Sequence, residues 1–445
     1  MRSCLAASLL VLTALLPMAV QAQHVVTPPA DTPALTIERA VDLARTRNER
    51  AQAAVERIDA AQARVSKARS AFLPTITIGG TYTRRAFETV RMVGDDQITI
   101  QSLHALGASA DARMTVLDAR LFPAFSQVRH DRDATRLEQR NAIRALAFDA
   151  AQAFLEALGT RQVAEAAGNR RELAQRNLEA ARARFEAQLV GSNDVTRAEL
   201  ELATAERELT AAHGAEETSR LDLALLLNAE TDDELVFPSA LLDEAASVVH
   251  DAGALATDAV TRRPDLAALR ARAMALDASA TEAVFRVLPS LGLQAQYRIT
   301  NEAGFSGRNT NWFVGANLNW TLLDGGVWLA DRQERSALAT ATHLEAAALE
   351  RSARADVRIA LVALENAQAA IRQATVARDI ARTNARETSE LYRQGLSTAL
   401  AVADAGVRLF EADVALVREQ YALASAYLGV RAAVGLDPLG KELSE

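Results

Sequence analysis

The residues able to do chemistry are plentiful, but they never convene. Six histidines stand at positions 24, 104, 130, 213, 250 and 343, and none has a spacing such as His-Glu-x-x-His, which would set two imidazoles on one helix face. Carboxylates abound, yet they fall on long helical runs beside arginines, the pattern of solvated, ion-paired faces. Cys4 is the single cysteine. There is no P-loop, no dinucleotide-binding glycine fingerprint and no Gly-x-Ser-x-Gly. No catalytic residue, cofactor or metal ligand emerges, and the chain is expected not to be an enzyme. A net charge of -8 also argues against a nucleic-acid partner.

What remains to be explained is the spacing itself. Residues 327–394 run for 68 positions without glycine or proline. As one helix they would reach roughly 100 Å, far beyond what a compact domain needs. Ala339, Ala346, Ala353, Ala360, Ala367, Ala374 and Ala381 recur every seven residues, with Val357, Leu364 and Ile371 on an adjoining stripe. A seven-residue repeat keeps one seam against a partner helix, and alanine there lets the axes approach closely. A second long run, residues 124–187, is interrupted only by Gly159 and Gly168 and carries its own stripe at Ala153, Thr160, Ala167, Ala174 and Ala181. Hydrophobic residues make up 49% of the chain but aromatics only 4%, so the apolar content is alanine-rich and suits helices with thin cores.

Residues 1–22 have the form of a secretory signal: Arg2, an apolar stretch from Leu5 to Leu16, and Val20-Gln21-Ala22 as a cleavage site. No other stretch is long and apolar enough for a transmembrane helix, so a membrane could be crossed only by strands. Two places supply them. In residues 75–83 the large apolar side chains take even positions and threonines odd ones. In residues 108–116 Ala108, Ala110, Ala112, Met114 and Val116 alternate with Ser109, Asp111, Arg113 and Thr115. Residues 291–300 and 312–322 repeat the pattern, with Tyr82, Tyr297, Trp312 and Trp320 on apolar faces near strand ends. Between the strands, residues 84–101 read as a polar irregular segment and 301–311 as a loop. Helices are expected over 35–72 and 255–287, each closed by Leu-Pro.

The chain is a tandem duplication. Leu73-Pro74 matches Leu288-Pro289 at an offset of 215, and residues 114–118 match 320–324 at 206. Phe185, Ala198, Leu202, Ala205 and Leu209 match Tyr392, Ala405, Leu409, Ala412 and Leu416 at 207. The expected organisation is a signal (1–22), a leader (23–34), a first repeat (35–228), a connector (229–253), a second repeat (254–436) and a tail (437–445). Four strands cannot enclose a lumen, whereas three chains would supply twelve.

The doubled Leu-Pro-Ser/Thr strand entry, Leu322-Leu323-Asp324-Gly325-Gly326 and the segment from Tyr392 through Gly395-Leu396-Ser397 to Asp404-Ala405 resemble the TolC-type outer-membrane efflux proteins. The resemblance spans residues 35–436. It implies a mainly α protein with a small β part: a homotrimer whose four strands per chain build a 12-stranded barrel in outer-membrane lipid, continued by a coiled-coil tunnel into the periplasm of a Gram-negative bacterium. Its implied partners are a periplasmic adaptor and an inner-membrane pump. It further implies that the tunnel narrows near two turns, residues 188–193 and 395–398, with Asp404 in an acidic ring, and that Asp194 and Tyr392 help to hold the tip closed. Leu189, Val190, Gly191, Gly395, Leu396 and Ser397 become candidate adaptor contacts. Three departures stand out: Ala401 where some members carry a second acid, Ser397 where an arginine is expected nearby, and Gln188 where the second turn has Gly395. On spacing alone Asp404 also reads as a solvated helix aspartate. Two other functions stay open at this stage, the exit duct of a type I protein secretion system and a periplasmic coiled-coil structural protein.

Overall fold

A computed structural model describes residues 34–93, 96–230, 234–247, 251–302 and 308–442; the expected signal and the leader up to residue 33 lie outside them. In chain order the elements are α1 (Ile37–Arg47), α2 (Glu49–Ser70), β1 (Thr75–Arg84), β2 (Thr89–Val93), β3 (Asp96–Gln101) and β4 (His104–Leu117). Then come α3 (Leu121–Glu186), α4 (Ser192–Leu227), α5 (Ser239–Ser247), α6 (Ala252–Arg262) and α7 (Pro264–Phe285). The chain ends with β5 (Ser290–Thr300), β6 (Thr310–Asn319), α8 (Val327–Arg393) and α9 (Ala399–Val434). Helix–hairpin–long helix–helix thus occurs twice. With 66 and 67 residues, α3 and α8 each span about 100 Å.

The long helices form as expected, because nothing in them competes with the helix. Gly159 and Gly168 do not interrupt α3. Gly159 has a packing reason: a Cβ there would meet the Tyr421 ring of α9 at 3.0 Å. α3 packs on α4 below and on α2 and α7 above, while α8 packs on α9 and α7. The alanine seams lie in these contacts. Ala167, Ala174, Ala181, Ala339, Ala346, Ala353 and Ala367 are buried; Ala153, Thr160, Ala360, Ala374 and Ala381 are half-buried. The main core sits at mid-length of the long helices, where Phe154, Leu223, Leu227, Val357 and Leu428 are fully enclosed.

The shorter helices depart from expectation. The run expected over 35–72 is two helices, broken at Asn48, whose backbone turns extended (φ -70, ψ 133). Its side chain accepts from the Arg50 N–H (2.8 Å) and donates to the Leu226 carbonyl (2.8 Å), so the lost helical bonds are replaced and the residue is buried. The run expected over 255–287 breaks in the same way at Arg263 (φ -68, ψ 117), where Pro264 opens the next helix. Asn48 and Arg263 are 215 apart, the offset of the Leu-Pro pairs, so the elbow belongs to the duplicated unit. The segment expected to be irregular over 84–101 holds an antiparallel hairpin, β2–β3. The connector contains α5. Strand β6 stops at Asn319, so Trp320 and Leu322 leave the alternation, and the Trp320 indole N–H donates to the Val287 carbonyl (3.0 Å).

Candidate functional site

The four long strands form one antiparallel sheet in the order β1-β4-β5-β6, joining the hairpins of the two repeats through β4 and β5. The register sorts every face. Ile76, Ala112, Ala295 and Val314 lie in one row, and Ile78, Ala110, Tyr297 and Trp312 in the next; Met114, Leu293 and Ala316 extend the same face. The opposite face carries the rows Thr75-Arg113-Gln294-Gly315, Thr77-Asp111-Gln296-Phe313 and Gly79-Ser109-Arg298-Asn311. The apolar face is open to the surroundings, with Ile78 82% and Trp312 70% exposed. A sheet of apolar side chains standing free in water would be a liability, so this face needs a cover. Among the described residues no helix is long and apolar enough to cross a membrane.

At the far end of the sheet the two hairpins are clasped. Arg85, just after β1, forms a two-pronged ion pair with Glu302, just after β5. Glu302 also accepts from the Ser102 N–H (2.7 Å), and the Asn301 amide bridges the backbones of His104 and Leu106 (2.7 and 2.8 Å). At the near end each strand feeds its long helix through an aspartate. Asp118 accepts from the Arg120 N–H and Asp324 from the Gly326 N–H, both at 3.0 Å and 206 residues apart.

At the other end of the molecule lie the two helix–helix turns. In the first, Gln188 N–H donates to Phe185 O and Leu189 N–H to Arg184 O (both 2.9 Å). In the second, Gly395 N–H donates to Tyr392 O (3.0 Å) and Leu396 N–H to Leu391 O (2.8 Å). This is the same helix-ending pattern at an offset of 207, and it requires a left-handed residue in each turn. Gly395 adopts φ 78 without cost; Gln188 adopts φ 59 and bears the strain of its Cβ. The turns push Leu189 and Leu396 into solvent, 74% and 72% exposed.

Between the turns, Arg184 of α3 reaches across to the end of α8. It donates to the carbonyls of Tyr392 (2.7 Å) and Arg393 (3.0 Å), and its guanidinium lies 4.1 Å from the centre of the Tyr392 ring. The ring is buried among Ala174, Ala181, Ala198 and Val402, at the meeting point of both helical hairpins. Positive charge at a helix C-terminus and over an aromatic face is favourable on both counts.

The profile of the outer membrane efflux protein family matches residues 40–229 and 255–436. The chain belongs to that family. The two matched blocks fall on the two helix–hairpin–helix units. The chain is also similar to nodulation protein T of Rhizobium leguminosarum bv. trifolii, with 24% identity over 410 residues, covering 88% of this chain and 84% of that protein. Its fold is that of solved channels. One is CusC, from a study of folding and transmembrane channel formation (TM-score 0.78, 16% identity, 90% of this chain and 92% of that chain). Another is the Campylobacter jejuni CmeC outer membrane channel (TM-score 0.76, 16% identity, 92% and 87%). The family is one of channels, in keeping with the expected lack of enzymatic function. Among the described residues no cluster of His, Cys, Asp or Glu could hold a metal ion.

Within this family member the sequence-named tip residues do gather at one end, on the two turns and the helices leaving them. Tyr392 is buried under Arg184. Asp194 is half-buried in the first turn of α4, where an acid suits the helix N-terminus. Asp404 is exposed one turn from Arg408 and paired with it at 2.9 Å. Val190 and Ser397 are half-buried; Gly191 and Gly395 are exposed. Sequence reasoning missed Arg184. It is one arginine among many, its counterpart in the second repeat is Leu391, and only the fold brings it to Tyr392.

Proposed function

We propose that this protein is the outer-membrane channel-tunnel of a tripartite efflux system. Three copies place their four-stranded sheets edge to edge as a barrel in the outer membrane, with the apolar rows toward lipid. The long helices carry the bore into the periplasm, where the turns at residues 188–193 and 395–398 form the end that meets a periplasmic adaptor and, through it, an inner-membrane pump. The mature chain starts at Gln23, after removal of a secretory signal, and keeps two repeats joined by a connector.

The observation that carries this reading is the sorting of faces across all four strands. A sheet apolar on one side and polar on the other, running directly into helices of about 100 Å, joins a membrane wall to a duct. Four strands leave two open edges, β1 and β6, and closure by further copies removes them. The periplasmic end is held shut by the contact of Arg184 with Tyr392, and Asp404 and Asp194 line or flank the constriction. The exposed pair Leu189 and Leu396 is the adaptor's apolar foothold. Planar-bilayer recording of the detergent-purified protein tests the reading. Long-lived unitary conductance steps are expected, and their absence from correctly assembled protein would remove the channel.

A further inference from the structure

The four long strands carry only four charged side chains of Asp, Glu, Lys or Arg type: Arg84, Asp111, Arg113 and Arg298. Arg84 closes β1 at the outer rim. The other three all sit on the polar face, and the register fixes their order along it. Arg113 stands in the row with Thr75 and Gln294. Asp111 stands in the next polar row, opposite Gln296. Arg298 stands in the one after, opposite Ser109. Arg113 and Arg298 are therefore separated by four strand positions, about 13 Å along the strand.

Their surroundings differ in kind. Asp111 is occupied: the Gln296 amide donates to it at 2.5 Å and the Ser109 hydroxyl at 2.8 Å. Its other neighbours in its own row, Thr77 and Phe313, are neutral, and Arg113 and Arg298 stand in the rows on either side. Neither arginine makes a hydrogen bond or ion pair among the described residues. Glu302, the acid whose charge interacts with that of Arg298, is taken up by Arg85 and the Ser102 N–H. The face thus presents two guanidinium groups without a hydrogen-bonded or ion-paired acid and one carboxylate between them whose hydrogen bonds come from neutral donors. Per chain the balance is +1 on this face, against a whole-chain charge of -8.

We propose that the barrel lumen is an anion-selecting stage, opposite in sign to the Asp404 ring that the proposed function places at the tip. This rests on the channel reading above. With three chains the two tiers become rings of three arginines each, and the rings act as fixed positive charge in a narrow bore with low-dielectric walls. Organic anions gain from passing these rings, while small cations are held back. The carboxylate of Asp111 lies between the rings and tempers them without cancelling them. The substrate class favoured at the exit is thus organic anions, whatever the tip admits.

The test is the reversal potential of single channels in a KCl gradient, measured for wild type, the double variant Arg113→Gln/Arg298→Gln, Asp111→Asn and Asp404→Asn. Glutamine keeps length and polarity on the luminal face, and the trimer mass in detergent is recorded for each. The double variant is expected to raise the potassium-to-chloride permeability ratio by about two- to fourfold. Asp111→Asn is expected to lower it, and Asp404→Asn to lower it by an independent route. If channels form but the double variant leaves the ratio unchanged, the arginine rings are not a selecting stage. If wild type forms no channels at all, the failure lies with the channel reading instead.

Discussion

The two repeats reach the same geometry with different residues, and the comparison separates what the fold demands from what sequence happens to supply. Both need an elbow 25 residues before the Leu-Pro strand entry. The first repeat makes it with Asn48, a neutral side chain bonded to two backbone groups. The second makes it with Pro264 and an ionic cluster: Arg263 binds Asp265 (2.8 Å) and Asp356 (2.7 Å). Both need a left-handed residue at the tip, which is strained Gln188 in one and Gly395 in the other. The following helix starts on Gly191 without a side-chain cap in the first repeat, and on Thr398, whose hydroxyl accepts from the Ala401 N–H, in the second. The backbone path is the invariant; side-chain chemistry satisfies it by whatever means each half holds.

Breaking the ionic elbow has the largest expected effect. Arg263→Ala leaves two carboxylates without their partner and is expected to destabilise the protein by about 3 kcal/mol, measured as thermal or denaturant unfolding in detergent. Asn48→Ala exposes the same demand at a neutral elbow and is expected to cost about 1–2 kcal/mol.

The two elbows also separate by pH. Burial pushes the Asp265 carboxyl up, but the hydrogen bonds and charge of Arg263 outweigh it and hold the group below its ordinary value. The native pKa is lowered, so this stabilisation is complete above the unfolded carboxylate pKa of about 4 and is lost as pH falls through the native value. Acidification should therefore weaken the second elbow while sparing the first. Asp265→Asn should flatten this part of the stability profile; an unchanged acid limb would mean that the elbow is not an ionic device.

The tip turns give the smaller effects, with opposite signs. Gly395→Gln should cost about 1 kcal/mol, and Gln188→Gly should gain a few tenths to about 1 kcal/mol. Thr398→Ala should cost about 1 kcal/mol through its lost cap. Amide hydrogen exchange at the turns reads all three. Equal responses at Gln188 and Gly395 would show that the left-handed residue does not limit either turn.

How much of this was legible in the sequence follows from the range of each signal. The long helices, the alanine seams and the alternating strands are periodic over many residues, and their extent was readable. The elbows were not. Asn48 and Arg263 interrupt good helical runs for reasons that lie elsewhere in the chain, at Leu226 and Asp356. Pro264 was a local sign of the second break, and the 215-residue offset would have carried it to the first. The β2–β3 hairpin does alternate, Val90, Met92, Ile98 and Ile100 against Thr89, Arg91, Gln97 and Thr99, but its strands of five and six residues flank a polar Gly-Asp-Asp segment, and the whole stretch read as irregular. At the tip, the turns at residues 188–193 and 395–398 were readable along the chain, but the contact of Arg184 with Tyr392 joins residues 208 apart and has no signature there.

The central claim is that a sheet too small to enclose a bore becomes a barrel when copies share it. The mass of the protein extracted in detergent from the outer-membrane fraction tests this most directly. A particle of three chains is predicted, contributing twelve strands at four per chain. A monomer or dimer released from the periplasm without detergent would contradict the account and leave the apolar face of the sheet in need of another cover.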